Sequence, residues 1–242
     1  MKQSKYILVI LLLWATGTFA QQGSGSFLEL HRRMKDKEMR KYSSSYLDKA
    51  EGTPYLSEEY LASKVYFKGQ TKPVAADLRY NMHSDNFEFI RSGTRFIISP
   101  QIDSIKYSEH SFVHKTYIKE KWGLFGSSTD TMEGFLAWLV KGPCSLYKIY
   151  SVEFRDAKAP ESGYDDYKPP RFERKNPTYC IQLKDDPHPR VVHSFGIKKF
   201  LDNFESSEKE LKEYIKGNNL RLKEEDDLIK FIRYYNQHYG NK

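Results

Sequence analysis

His110 and His114 are four residues apart and form the first pair in this sequence that could chelate a metal ion. On a helix that spacing puts both rings on one face, as zinc sites require. Here they fall in YSEHSFVHKTY, which reads as a turn and a strand, and four strand residues span roughly 13 Å, too far for one ion. No His-Glu-x-x-His run and no cysteine cluster occurs. His188 and His193 are separated by Pro189 and a strand start, while His31, His83 and His238 are scattered over a leader, a loop and a terminal helix. The pattern predicts surface or half-buried histidines, no metal site and no cofactor. Asp165-Asp166 joins two carboxylates but lacks the spaced oxygen ligands of a calcium loop. The run Gly23-Ser24-Gly25-Ser26 sits in a flexible leader instead of the strand–helix elbow that a serine hydrolase needs. No glycine-rich phosphate loop follows a strand. Carboxylates are plentiful, yet spacing singles out no catalytic pair, so no catalytic residue is assigned.

Two loops carry residue types suited to contact instead of chemistry. KEKWGLFGSSTDT, residues 119–131, presents Trp122, Leu124 and Phe125 between glycines. It reads either as an exposed apolar contact loop or as a plug tucked into an open end of a sheet. DAKAPESGYDDYKPPRFERKNP, residues 156–177, carries Tyr164, Asp165, Asp166 and Tyr167, followed by Arg171. A proline-rich loop of that length is either a recognition loop or a stiff strut across the sheet, with Pro169-Pro170 as the stiff part.

The start of the chain predicts export. Lys2 and Lys5 form a positive region, residues 6–15 are apolar, and Thr18-Phe19-Ala20 supplies the small residues that a signal peptidase reads. Residues 1–20 are the expected signal peptide, too short in its apolar run to span a bilayer. No cysteine stands there to accept a lipid, and no later run is long enough for a transmembrane span. The expected location is periplasmic or secreted. Cleavage removes two lysines and lowers the formal charge from +7 to +5, a modest excess that argues for no nucleic-acid partner. Residues 21–53 read as a flexible basic leader whose apolar stripe of Phe27, Leu30 and Met34 fades after one turn.

The elements that must position any site are mostly strands. From residue 63 the apolar period is two, with strand candidates at 63–69, 74–81, 86–91, 94–99, 101–107, 111–119, 134–141, 145–154, 178–183 and 190–195. Gly69, Ser92-Gly93, Pro100 and Gly142-Pro143 separate them. About ten such strands without alternating helices predict an α+β fold, mainly β. The expectation is an antiparallel meander of sequential hairpins that curls into a half-barrel or barrel-like sandwich. Residues 54–196 would be this β domain and 197–242 the C-terminal helices packed on it. SSEKELKEYIKGN opens with Ser207 and Glu210 at capping-box spacing and closes at Gly217. Glu224 to Asp227 sit at the positive end of the next helix, and Leu228, Ile229, Phe231, Ile232, Tyr235 and Tyr239 form its stripe. A helical hairpin docked on the sheet follows, led by a shorter helix at Phe200, Leu201 and Phe204.

Cys144 and Cys180 are the only cysteines. Export permits a disulfide, but a hairpin register that places Phe154 near Thr178 sets Cys180 opposite about Val152 and far from Cys144. Two buried free thiols are expected.

The strand pair VYFKGQTKPVAADLRYN, the runs DNFEFIRSG and GFLAWLVKGPCSLYKIYSVEF, the loop GYDDYKPPRFERKNPTYCIQL and the ending LKEYIKGNNLRLKEEDDLIKFIRYYN follow in that order. Together they resemble a family of exported proteins of unknown function common in Bacteroidetes, over about residues 55–240. The resemblance implies an envelope or secreted location and carries over no catalytic residue, cofactor or partner.

Three functions remain open at this point. A non-catalytic envelope scaffold or interaction protein leads, for want of any catalytic or metal spacing. A small-ligand or lipid carrier could use the concave face of a half-barrel, and a hydrolase could draw its residues from separated strands. The partners to consider are another envelope protein or an apolar small ligand. A concave face filled by its own side chains favours the scaffold; an open apolar cavity favours the carrier.

Overall fold

The computed structural model describes residues 50–98, 102–123, 126–160, 166–204 and 208–239. The expected signal peptide, nearly all of the expected leader and Ser207 lie outside them. Among the described residues the strands are β1 Leu61–Phe67, β2 Val74–Asn81, β3 Asn86–Arg91, β4 Thr94–Ile97, β5 Ile102–Tyr107, β6 His110–Gly123, β7 Gly126–Val140, β8 Cys144–Ile149, β9 Val152–Arg155, β10 Arg171–Arg174, β11 Thr178–Leu183 and β12 Arg190–Val191. The helices are α1 Ile197–Leu201, α2 Glu208–Gly217 and α3 Glu225–His238. None is long and apolar enough to cross a membrane.

Ten strands form one sheet in the order β12-β11-β8-β7-β6-β5-β1-β2-β3-β4. All of its neighbours run antiparallel. A further parallel pairing of β12 with β6, at Arg190 and Ile118, closes β6, β7, β8, β11 and β12 into a five-stranded barrel. The protein is α+β and mainly β, as the period-two runs predict. Most neighbours are sequential hairpins. The exceptions are β1 with β5, β8 with β11, and the closing β12–β6 pair. Ser92 and Gly93 join β3 to β4 with φ of 50° and 72°. Two successive left-handed residues make a type I′ turn, whose twist matches that of the strands.

Period two sends alternate residues to opposite faces, so β6–β8 and β11 serve two sides. Val113 and Tyr117 of β6, Leu136 of β7, Tyr147 of β8, Cys180 of β11 and Val191 of β12 fill the barrel. The outer residues of β8 and β11, Cys144, Leu146, Tyr179 and Ile181, meet the helices. Leu228, Phe231 and Ile232 of α3 are fully buried there, with Tyr235 and Tyr239 nearly so. Two polar ties set the helix direction. Glu225 accepts from the Tyr179 hydroxyl at 2.9 Å and pairs with Lys148 at 2.6 Å. Eleven residues later, Asn236 accepts from the Cys144 amide at 2.7 Å and donates to its carbonyl at 2.9 Å. Helical rise makes that separation about 16 Å, close to the roughly 13 Å from Cys144 to Lys148 along a strand. α3 therefore lies antiparallel along β8. Phe200 and Leu201 belong to α1 and are buried, while Phe204 follows it in a turn and packs on Phe231.

Four expectations need correction. The strand expected at 145–154 breaks at Tyr150–Ser151, where the chain leaves the sheet and builds the separate β9–β10 hairpin. The register moves with it: Thr178 lies opposite Ile149 and not Phe154, and Cys180 opposite Tyr147 and not Val152. Cys144 and Cys180 are still free and buried, because Cys180 faces the lumen and Cys144 faces the helices. Residues 119–123 and 126–131, expected in a separate loop, are the far end of the β6–β7 ladder, which runs from Phe112–Ala137 to Gly123–Gly126. The strand expected at 190–195 is only two residues long.

Candidate functional site

β5, β1, β2 and β3 continue the sheet past β6, and its curl makes a concave face. Phe87 of β3 is fully buried at its centre. The ring centroids of Tyr80, Tyr107, Phe112 and Phe135 lie 4.8, 5.4, 5.1 and 5.0 Å from that of Phe87. All but Tyr80 meet it edge to face, the arrangement that the ring quadrupole favours. Val65, Leu78, Met82, Ile105 and Val152 complete the same cluster. The face is filled by the protein's own side chains.

One carboxylate is built into its edge. In NMHSDN the Asn81 side chain accepts from the amides of His83 and Ser84 at 3.0 and 3.1 Å, shaping the turn between β2 and β3. Asp85 ends that turn with φ 50°. Its carboxylate accepts from the Tyr80 hydroxyl at 2.6 Å and from the Phe135 amide at 3.0 Å. β8 has by then parted from β7, so this amide would otherwise lack a partner. A β-carbon at Gly134 would collide with the Asp85 carboxylate, so glycine is what lets the turn dock. Burial raises the Asp85 carboxyl above its usual range, more than its two hydrogen bonds and nearby His114 lower it. The group works as a latch between β2–β3 and β7. Its donors leave it poorly placed to act as a base.

A second buried carboxylate, Glu88, pairs with Arg79 at 3.2 Å and accepts from Asn81 at 3.3 Å. The Arg79 guanidinium stands 3.6 Å from the Tyr55 ring centroid and 4.6 Å from that of Tyr60. These contacts fix the segment before β1, which also bonds through Leu56 to Tyr80 and through Pro54 to Met82.

In the barrel, Lys115 lies between Val113 and Tyr117 in sequence and shares their inward face. Its ammonium donates to the Gln182 side-chain oxygen at 3.0 Å, and the Tyr147 hydroxyl donates to the same atom at 3.2 Å. Gln182 is held by its own donation to the Asp186 carbonyl at 2.9 Å. Burial lowers the Lys115 amine below its ordinary value. Burial pushes both cysteine thiols up to about 12, which leaves them protonated and unreactive at neutral pH.

Among the described residues singled out from sequence, His110 and His114 border this region. His110 and His114 pack against rings, Phe112 and Tyr150 for the first and Phe135 for the second. His188 is half-buried and His193 exposed. Among the described residues, no group of three or more His, Cys, Asp or Glu side chains is placed to hold a metal ion. Trp122 lies in β6, but its side chain, with Leu124, Phe125, Tyr164 and Asp165, falls outside what the structure describes. Asp166 and Tyr167 are exposed, Tyr167 at 59%. Lys158 and Lys168 pair through their backbones and pinch the loop off beneath them. Arg171 enters β10 and pairs with Glu173 at 2.6 Å. The loop folds back on itself as the β9–β10 hairpin.

The chain matches no family model, no curated protein and no solved structure.

Tyr80, Asp85, Lys115 and Gln182 escaped sequence reasoning. The one available signal was Lys115, a cation at an inward position of an otherwise apolar alternation.

Proposed function

We propose that this is an exported, non-catalytic interaction protein, of the kind its resemblance to exported Bacteroidetes proteins implies, with the curled sheet and barrel as scaffold and the loops as contact surface. The filled concave face carries this reading. A carrier of apolar ligands needs a cavity, and here Phe87 and its four neighbouring rings occupy that space. The hydroxyl–carboxylate pairs Thr116–Glu133 and Ser104–Asp103 are exposed strand contacts, which weighs against the hydrolase. Exposed Tyr167, beside Asp166 on the pinched-off loop, supplies an aromatic anchor of the type that interfaces use. The natural partner class is another envelope protein. A photo-crosslinking residue at Tyr167 in the exporting cell should give one adduct of discrete mass, with none from the exposed strand position Lys64. Equal labelling from both sites, or none, would overturn the reading.

A further inference from the structure

We propose that the barrel end beside Lys115 binds a small oxyanion, a carboxylate or phosphate group, with the Lys115 ammonium as its anchor. Among the described residues, cations withdrawn from solvent are otherwise paired with carboxylates. Among described side chains, the lysines and arginines that are not exposed are Arg79, Lys115, Lys148 and Arg171. Arg79 pairs with Glu88, Lys148 with Glu225 and Arg171 with Glu173. Lys115 has only the neutral Gln182 amide. A desolvated charge is costly unless it is paired, and an ammonium has three N–H groups, of which Gln182 takes one.

The surroundings are organised to present the other two. Gln182 cannot turn away, because its nitrogen is committed to the Asp186 carbonyl in the turn after β11. Its oxygen is shared with the buried Tyr147 hydroxyl, so the amide is saturated and offers nothing more to the ammonium. The Tyr147 ring flanks the ammonium, with its centroid 5.5 Å away. Val113, Leu136, Cys180 and Val191 pack the barrel interior beside it, and such apolar neighbours lower the local dielectric and strengthen attraction to an anion. An arriving oxyanion would accept the two spare N–H groups and supply the missing counter-charge. The lowered amine of Lys115 marks the same deficit. Trp138, stacked on Tyr147 at 5.5 Å, is a built-in fluorescence reporter.

The test titrates the exported protein with inorganic phosphate and, separately, acetate, with chloride holding ionic strength constant. Melting temperature and tryptophan emission are followed for the wild type, Lys115→Met and Lys115→Arg. The expected result is a saturable rise of roughly 5–10 °C at a hundredfold excess over Kd. Lys115→Arg should retain the rise and Lys115→Met should lose it. Response to both anions identifies a carboxylate-sized site, and response to phosphate alone a phosphate site. An independent readout needs no variant: saturating anion should slow acetylation of Lys115 and leave exposed Lys64 unchanged. No saturable response, an equal response in Lys115→Met, or unprotected Lys115 would overturn the proposal.

Discussion

Phe87→Ala tests whether the concave face is filled. The ring is fully buried and central to a cluster of four others at 4.8 to 5.4 Å. A phenylalanine buries at least about 150 Å², and at about 25 cal/mol per Å² this is roughly 4 kcal/mol. Core Phe→Ala changes cost about 3–5 kcal/mol, in agreement. The lost edge-to-face contacts press towards the upper figure, and collapse of neighbours into the space towards the lower. For a folded unit spanning residues 49–242, each kcal/mol moves the melting temperature by roughly 2–4 °C, so a fall of roughly 10–15 °C is expected. Urea unfolding followed by circular dichroism measures the loss directly. Phe87→Leu should cost under about 1.5 kcal/mol. The vacated space should also bind toluene, which partly restores the melting temperature of the alanine variant and leaves the wild type unmoved. A cost below about 1 kcal/mol, or wild-type stabilisation by toluene, would refute the packing argument.

Further outcomes are expected elsewhere. Burial raises the Asp85 carboxyl above the ordinary value of 3.8, so its protonated form is the better accommodated. The associated stability is fully present below that ordinary value and is lost as pH rises through the raised one. The unfolding free energy of wild type relative to Asp85→Asn should therefore decline as pH rises above the ordinary carboxylate value; a constant difference would show that the carboxyl is not desolvated. Phe231→Ala should cost about 3–5 kcal/mol, since the ring is fully buried between Phe200 and Phe204; a loss below about 1 kcal/mol would mean that α3 is not docked. Without reductant, a thiol reagent should leave Cys144 and Cys180 unlabelled in the folded protein and label both after denaturation; an absence of label after denaturation would indicate a disulfide.

The fold was legible where local pattern and tertiary role coincide. Val65, Leu78 and Phe112 sit at inward positions of alternating runs, and Ser92-Gly93 announces its own turn. The stripe from Leu228 to Tyr239 marked the docking face of α3 before its partners were known. Legibility failed where an alternation outlives its strand. Tyr150, Val152 and Phe154 continue the apolar period of β8, yet the chain leaves the sheet between them. It failed again at the end of the β6–β7 ladder, where lysines, serines and threonines carry no burial signal. The parallel closure rests on β12, a two-residue strand too short to show any period. The roles of Asp85 and Lys115 were hidden for another reason: each is created by a surface distant in sequence, Gly134–Phe135 for the first and Gln182 for the second.

The central claim is that the sheet encloses its own aromatic side chains and no ligand, leaving the loops to act. Native mass spectrometry of the protein, purified without detergent from its native cells, tests this most directly. The account predicts that the concave face adds no lipid or other apolar molecule to the mass of the polypeptide. A stoichiometric lipid that survives purification, and that Phe87→Trp displaces from the concave face, would contradict it and make the protein a carrier.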